Sequence, residues 1–218
     1  MTDTTRVMSS TFLQRVLSRA LLSSLFTIIS VVGVISAVQA DSSAAVVHHA
    51  LSAVLWGMFA LLVIIRPVPL RRGGSRTGIA AAVGAQVVTI VLGVVAGDGT
   101  FSGTALLVAD ILLAGGLIFA IASLAFLGRC FGILPDVRGI VTRGPYRFVR
   151  HPLYLGELTS LLGIALGANR WLLAVALWLV CVGLQLVRTK YEERSLRAEF
   201  PEYSQYAERT KRLIPGVV

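Results

Sequence analysis

Two clusters of polar residues in the C-terminal half of the chain have the types and spacing for chemistry. The first is the segment 127–157, LGRCFGILPDVRGIVTRGPYRFVRHPLYLGE, which combines five arginines with aromatic residues, a histidine and three prolines. Connections in compact domains usually have about 4–6 residues, so this segment is long for a simple loop. Pro152 suits the first turn of a helix, and Arg150, Tyr154 and Glu157 are then predicted to share one face. A basic and aromatic belt at a membrane surface is the simpler interpretation, but it does not account for the whole set.

The second cluster is Arg188-Thr189-Lys190-Tyr191-Glu192-Glu193. If one helix carries it, Arg188 and Glu192 are four residues apart and point the same way. Taken alone, such a pair of glutamates is more often a solvated helix face. Apolar residues then recur at helical spacing, which predicts an amphipathic helix lying along the membrane surface through Leu196, Phe200 and Tyr203.

Long apolar runs must position these clusters. Hydrophobic residues make up 56% and charged residues 14% of the 218 residues, whereas soluble domains have about 45–50% and about 25%. A fifth apolar region, 153–187, is interrupted at 168–170 and predicts a helical hairpin whose halves are shorter than the roughly 20 residues of a full span. The four runs that reach this length are Ala20–Val38, Ala45–Ile65, Gly78–Ala96 and Ala105–Leu127.

The formal net charge of +9 follows the membrane topology. Of the 20 lysines and arginines, all but Arg170 lie in the terminal segments or in alternate connections between the apolar runs. The positive-inside rule therefore predicts six helical passes, with both termini and both polar clusters in the cytosol. Topology explains the basicity, so no nucleic-acid partner is expected, while the loop 71–76 also suits anionic lipid headgroups. Cys130 and Cys181 lack the spacing of metal ligands, so no metal site is expected.

Several spaced blocks in the C-terminal half resemble one enzyme family. The block Arg150-His151-Pro152-Leu153-Tyr154-Leu155-Gly156, an apolar hairpin and Glu192-Glu193 are similar to the RHPxYxG–hydrophobic–EE signature of isoprenylcysteine carboxyl methyltransferases. Phospholipid methyltransferases and some small-thiol methyltransferases look similar. The lead-in 140–146, IVTRGPY, and the tail 200–215 also agree with the family. The resemblance covers about 127–215, and the first four spans match it only as hydrophobic helices.

The resemblance implies S-adenosylmethionine as the methyl donor and assigns roles to the matching residues. Arg188 aligns with the arginine that binds the substrate carboxylate, and it is the catalytic candidate. Arg150 and Glu157 are further substrate-binding candidates. Phe131 departs from the family, because some relatives have a polar contact to the methyl donor near this position. The implied methyl-donor site consists of Gly139, Ile140, Val141, Tyr146, His151, Pro152, Leu153, Tyr154 and Glu192.

The residues agree with such a reaction on physical grounds. No predicted strand is followed by GxGxxG, so the methyl donor must be held by the cytosolic loop and the helix ends rather than by a Rossmann domain. A sulfonium is already a strong electrophile, so methyl transfer to a carboxylate needs alignment and exclusion of water but no metal. An arginine can grip the carboxylate with two hydrogen bonds. Acids and aromatic faces complement the charge of the sulfonium.

The first hypothesis is a membrane methyltransferase for a lipophilic acceptor that enters from the bilayer, most like protein-S-isoprenylcysteine O-methyltransferase. A phospholipid amine or a small thiol is the alternative acceptor and would need a base, for which Glu157 and His151 are candidates. A non-enzymatic transporter or assembly factor would instead place ionisable residues at mid-membrane. The expected fold is an all-α, polytopic transmembrane helix bundle. Residues 1–128 form a four-helix transmembrane region, and residues 129–218 form a methyltransferase region with a cytosolic cofactor-binding loop, the hairpin and a C-terminal amphipathic helix.

Overall fold

The structure, a computed structural model, describes residues 3–65, 67, 70, 75–96, 104–132 and 137–213. In these ranges the chain forms helices and no β-strand, apart from an isolated parallel bridge between Val149 and Lys211. The predicted all-α fold is confirmed. The α-helices are α1 (Asp3–Gln39), α2 (Ser43–Ile65), α3 (Arg76–Ala96), α4 (Thr104–Leu127), α5 (Pro152–Gly167), α6 (Trp171–Glu199) and α7 (Tyr203–Arg209).

Five of the described helices, α1, α2, α3, α4 and α6, are long and apolar enough to cross a membrane. The first four contain the four predicted runs, so the polytopic helical architecture is confirmed. The predicted hairpin is formed by α5 and α6 and breaks at 168–170 as expected. Its halves are unequal: α5 has 16 residues, whereas α6 has 29 because it continues through the second polar cluster.

The first compact unit, residues 1–66, consists of α1 and α2. These helices pack through Phe26, whose ring centroid lies 5.4 Å from that of Trp56. The Ser30 hydroxyl donates a hydrogen bond to the Ala53 carbonyl across the same contact, at 2.7 Å. Most other apolar side chains described in α1 are exposed, as suits a helix surrounded by lipid.

The second compact unit, residues 67–218, contains α3 to α7. Small residues allow α4 and α5 to approach closely. A Cβ atom on Gly116 would collide with the backbone of Ser160, and one on Gly156 would lie 2.6 Å from the backbone nitrogen of Ala120. The close packing of these two helices fixes the start of α5, where the predicted site residues begin.

The division of the chain into compact units does not follow the predicted regions. The units meet at Arg66 and Pro67, whereas the sequence suggested a boundary after residue 128. Helices α3 and α4, which were assigned to the N-terminal region, belong to the same unit as the site. The functional division at residue 128 stays a prediction.

The C-terminal amphipathic segment is not one continuous helix. Helix α6 ends at Glu199, Phe200 has an extended backbone, and α7 begins at Tyr203. Pro201 explains the break, because proline disfavours the helical conformation in the preceding residue and has no N–H group to continue the helix. The prediction that Leu196, Phe200 and Tyr203 lie along one helix was therefore wrong.

Candidate active site

An open pocket lies where the ends of α4, α5 and α6 meet the segment 128–151. It contains about 770 Å³ of empty space, which includes the solvent at its mouth. Its lining is formed by Leu127, Cys130, Phe131, Gly132, Val137, Arg138, Gly139, Ile140, Val141, Tyr146, Arg150, His151, Leu153, Tyr154, Glu192, Leu196, Tyr203 and Tyr206.

Eight of the nine residues predicted for the methyl-donor site line this pocket. The exception is Pro152, which is buried at the first position of α5. Phe131, the position that departs from the family, also lines the pocket and is buried. Arg188 and Glu157 are not part of the lining. The structure thus brings together most residues assigned to the methyl donor and leaves two of the three acceptor candidates outside the pocket.

The loop before α5 takes its shape from Gly144. This glycine has a φ of +60°, which favours glycine over residues with a side chain. A Cβ atom there would lie 2.6 Å from the ring of Phe126. Gly144 begins a short 3₁₀-helix that ends at Arg147 and contains Tyr146. The sharp turn therefore puts the Tyr146 side chain, which is buried, in the wall of the pocket.

Glu192 presents its carboxylate to the pocket and is held by a cluster of side chains. The Tyr154 hydroxyl donates to Glu192 Oε1 at 2.8 Å, and Arg188 Nε donates to the same oxygen at 3.0 Å. The predicted pairing of Arg188 with Glu192 one turn apart is confirmed. His151 Nδ1 lies 3.8 Å from Glu192 Oε2. The Glu192 side chain remains 15% exposed, so a bound ligand can contact it. We call these four residues the Glu192 cluster.

Glu193 is the centre of a second cluster and does not line the pocket. Its side chain is 2% exposed. Arg150 Nε donates to its Oε1 at 2.9 Å, Arg212 Nε donates at 3.0 Å, and His151 Nε2 lies 3.2 Å away. Arg212 also donates to Oε2 at 3.2 Å, and Arg197 lies 3.7 Å from that oxygen. We call these five residues the Glu193 cluster. His151 belongs to both clusters and joins them.

Arg150 is directed towards the C-terminal segment as well as the Glu193 cluster. Its guanidinium donates to the carbonyl of Ala207 at 2.7 Å and to the carbonyl of Thr210. The predicted helix face shared by Arg150, Tyr154 and Glu157 is not formed, because α5 begins only after Arg150. The role of Arg150 in substrate binding stays a prediction.

Glu157 lies one turn further along α5 than the pocket-lining residues. Its Oε2 accepts a hydrogen bond from Gln185 Nε2 of α6 at 3.3 Å. Gln185 Oε1 is buried and has no hydrogen-bond partner among the residues that the structure describes. This polar pair therefore lies outside the pocket lining, between the apolar helices α5 and α6. Its place suits an acceptor group that comes from the membrane side, and this role also stays a prediction.

The contribution of α7 to the wall of the pocket was not predicted from the sequence. Tyr203 and Tyr206 line the pocket, and the Tyr206 hydroxyl donates to the Tyr146 carbonyl at 2.6 Å. Burial raises the pKa of Tyr146 and of Tyr203 well above the usual range and raises the pKa of Tyr206 to about 12. All three phenols are therefore neutral at physiological pH. The tail 200–215 had been matched to the family, but neither tyrosine had been assigned to the methyl-donor site.

Other lining residues carried no signal that would have singled them out. They are mostly apolar, and only the fold brings them to the pocket. They are Leu127, Cys130, Gly132, Val137, Arg138 and Leu196. Within the described part of the chain, no group of three or more His, Cys, Asp or Glu side chains is arranged to hold a metal ion.

One family model matches the helices and loops that build most of the pocket. Residues 99–202 match the model of the phospholipid methyltransferase family. The matched segment contains every residue predicted for the methyl donor and the acceptor, and it ends just before α7. The match supports the broader methyltransferase relationship that the motifs suggested. It does not support the isoprenylcysteine carboxyl methyltransferases in particular.

Two curated relatives have names that refer to metal resistance. A stretch of 127 residues is 38% identical to the cobalt-zinc-cadmium resistance protein CzcN of Cupriavidus metallidurans and covers 54% of this chain and 53% of that protein. A stretch of 76 residues is 33% identical to the nickel-cobalt-cadmium resistance protein NccN of Alcaligenes xylosoxydans xylosoxydans and covers 35% and 36%. The matches span about half of the relatives' lengths or less. These names refer to resistance to metals and do not specify a chemical reaction.

Proposed function

We propose that this chain is an integral membrane methyltransferase that binds S-adenosylmethionine in the pocket and methylates a lipophilic acceptor. One observation carries the proposal. Eight of the nine residues that the motifs assign to the methyl donor line a single pocket at the ends of apolar helices. The match of residues 99–202 to the phospholipid methyltransferase family supports the same reaction class.

The chemistry of the pocket suits this methyl donor. S-Adenosylmethionine combines a flat purine with a positively charged sulfur. The rings of Tyr146 and Tyr154 suit both groups, because aromatic faces stack on bases and attract cations. The Glu192 carboxylate complements the sulfonium charge. Gly139 allows the backbone of this wall to pack against Cys130, since a Cβ atom there would lie 2.9 Å from Cys130 Sγ. We therefore assign the methyl donor to these residues.

The residues of the chain orient the reactants and exclude water. When bound, the methyl donor supplies an activated methyl group on its sulfonium. Tyr154 and Arg188 hold the Glu192 carboxylate from two directions, so the group that complements the sulfonium is fixed before binding. Tyr203 and Tyr206 close one side of the pocket. Fixed charges in a site shielded from water act more strongly than the same charges in solvent.

For the acceptor we propose a carboxylate on a lipophilic molecule, most like that of an isoprenylcysteine. Arg188 is 6% exposed, and its guanidinium donates to Glu192 and, at 3.4 Å, to the Gly132 carbonyl. Its Cζ atom lies 4.6 Å from the centroid of the Tyr154 ring. These contacts orient the planar guanidinium, as a two-point grip on a carboxylate requires. A carboxylate is ionised at neutral pH and needs no base.

A phospholipid amine is the second candidate acceptor. The description of the matching family favours it. An amine must lose a proton before it can attack, and Glu157, three residues after Tyr154 on α5, is the proposed base. Gln185, whose Nε2 donates to Glu157, would orient that carboxylate. The two acceptors therefore differ in whether Glu157 takes part in the reaction.

We also propose that the pocket and both termini face the cytosol, because nearly all basic residues gather on one side of the predicted spans. Membrane lipids and the lipophilic acceptor are then the expected partners. Cysteines introduced at Ser75 and Arg143 should react with a membrane-impermeant label only from the cytosolic side. A cysteine at Asp98, which lies outside the described residues, should react from the opposite side. External labelling at Arg143 would contradict the cytosolic site.

Titration calorimetry of the detergent-solubilised protein with S-adenosylmethionine, without added metal, tests the methyl-donor site. We expect the wild type to bind and Glu192→Gln to bind roughly tenfold to a hundredfold more weakly, because a charge-assisted contact contributes about 1.5–3 kcal/mol. Glu199→Gln is the matched control, since Glu199 is exposed on the same helix, and it should bind like the wild type. No binding by the wild type, or binding only with a divalent ion, contradicts the proposal.

A methyl-transfer assay with prenylcysteine, phospholipid and thiol acceptors identifies the acceptor. Glu157→Gln then separates the two mechanisms. For a carboxylate acceptor, turnover should stay within a few-fold of the wild type because no base is needed. For an amine acceptor it should fall by roughly a hundredfold or more, since general bases contribute about 10²–10⁴. Absence of transfer to every acceptor by protein that binds the methyl donor would refute the enzymatic function.

A further inference from the structure

The C-terminal strap, which we define as residues 203–213, forms one wall of the pocket. Tyr203 is 2% exposed and lines the pocket together with Tyr206. The Tyr206 hydroxyl reaches across to the carbonyl of Tyr146, on the loop before α5, at 2.6 Å. A ligand in the pocket is thus enclosed on this side by a short helix rather than by a membrane-embedded one.

The end of the strap is fastened to the loop by its backbone. The N–H groups of Arg150 and His151 donate to the carbonyls of Lys211 and Arg212, at 2.8 and 3.0 Å. These two bonds do not extend into a sheet in the described residues. Because a short bridge is weak on its own, side chains must supply most of the attachment.

Glu193 supplies that attachment from α6. It accepts hydrogen bonds from Arg212 of the strap and from Arg150, and Arg150 in turn donates to the strap carbonyls of Ala207 and Thr210. One buried carboxylate on α6 therefore holds the strap directly through Arg212 and indirectly through Arg150 of the loop. Removing the negative charge would leave the mostly buried Arg150 without its carboxylate partner and facing Arg212, which contacts the same carboxylate oxygen.

We infer that Glu193 is a positioning residue that pins the C-terminal strap across the pocket and thereby retains the bound methyl donor. The identity of that ligand rests on the proposed function. Glu193 does not touch the ligand, since it is absent from the lining. It acts through Arg212, which fixes the strap, and through His151, whose ring stacks on Tyr154 with centroids 5.5 Å apart and planes 9° from parallel.

The effect should be local. The described partners of the Glu193 side chain lie on the loop, on the strap and on the end of α6, and the closely packed contact of α4 with α5 takes no part in them. Loss of the cluster should therefore release the strap and leave α3, α4 and α5 in place. This separates pinning of the strap from a general contribution to folding.

The test combines hydrogen exchange with dissociation rates in Glu193→Gln, Arg212→Gln and the control Glu199→Gln, each in the full chain. Exchange is measured first without ligand. We expect strap amides in the first two variants to exchange roughly tenfold to a hundredfold faster than in the wild type, as expected for the loss of a charge-assisted contact, with α3 to α5 unchanged. S-Adenosylmethionine should dissociate faster by a similar factor, and Glu199→Gln should behave like the wild type.

Three outcomes would overturn the inference. Strap amides in Glu193→Gln could exchange at the wild-type rate, exchange could rise equally in α4 and α5, or the strap could loosen while the dissociation rate stays unchanged. Failure of the wild type to bind S-adenosylmethionine would instead refute the proposed function. The exchange arm, measured without ligand, would still decide whether Glu193 pins the strap.

Discussion

Glu192 and Glu193 are neighbours on α6, yet their carboxylates have different surroundings. Glu192 keeps 15% of its side chain exposed and faces the pocket, with partners from α5, from α6 and from His151 at the end of the loop. Glu193 is 2% exposed, and its partners come from the loop, the strap and α6. Adjacent residues on a helix are about 100° apart, so the two side chains reach different parts of the protein.

The difference separates two uses of a buried carboxylate. Burying a carboxylate away from water costs free energy unless several hydrogen-bond donors contact it. Glu193 meets this condition entirely within the protein, so it suits a structural attachment. Glu192 is satisfied on one oxygen and still borders open space, so it suits a ligand with a positive charge. The comparison predicts that changes around Glu192 affect binding and turnover, whereas changes around Glu193 affect the strap and its stability.

Arg188→Ala should have the largest effect on turnover. It removes the group that we assign to the acceptor, and turnover should fall by more than roughly a hundredfold. Affinity for the methyl donor should fall by less than about tenfold, because Glu192 keeps its bond from Tyr154. Arg188→Lys should restore little of the turnover, since the lysine ammonium is a point charge and cannot make the two parallel hydrogen bonds of a planar guanidinium. The measurement is methyl-donor affinity beside turnover for each variant.

Two results would contradict this division of roles. If Arg188→Ala weakens methyl-donor binding as much as Glu192→Gln does, the arginine serves the methyl donor. If Arg188→Ala keeps near-normal turnover, a carboxylate acceptor is wrong and the amine becomes the better candidate.

Arg150→Ala should mainly lower stability. Glu193 loses its closest donor, and the carbonyls of Ala207 and Thr210 lose theirs, so we expect a loss of about 1.5–3 kcal/mol in the free energy of unfolding. Thermal unfolding in detergent measures this loss, with Arg194→Ala, an exposed arginine on α6, as the control. Unchanged stability with a raised KM for the acceptor would restore Arg150 to the substrate site that the sequence suggested.

Tyr154→Phe and Tyr206→Phe form a matched pair, each of which removes one hydroxyl group and one hydrogen bond. The bond from Tyr154 to the Glu192 carboxylate is charge-assisted and worth about 1.5–3 kcal/mol. The bond from Tyr206 to a neutral carbonyl is worth about 1 kcal/mol, roughly a fivefold change, and gives the smallest expected effect. Tyr154→Phe should weaken equilibrium affinity for the methyl donor through Glu192. Tyr206→Phe should instead speed dissociation by loosening the strap from Tyr146. Equal changes in both quantities for both variants would show that the two clusters are not separate.

The helical architecture was largely predictable, because apolar runs of span length leave few alternatives in a bilayer. The same holds for the i, i+4 pairing of Arg188 with Glu192, which follows from helix geometry alone. The break at Pro201 was also present in the sequence, but the helical spacing of Leu196 and Tyr203 was given more weight. The spacing therefore did not reveal the separate helix α7, which forms one wall of the pocket.

The sequence by itself determined the four long apolar helices and the interrupted hairpin, their order, the positions of the two polar clusters and the motifs that resemble methyltransferases. These depend on local pattern, on helix period and on the cost of burying polar groups in lipid. Only the tertiary structure decided what surrounds Glu193, where Arg150 points and what Tyr206 contacts. Those outcomes depend on segments distant in the chain, since the strap reaches the loop across about sixty residues, and no local pattern encodes that approach.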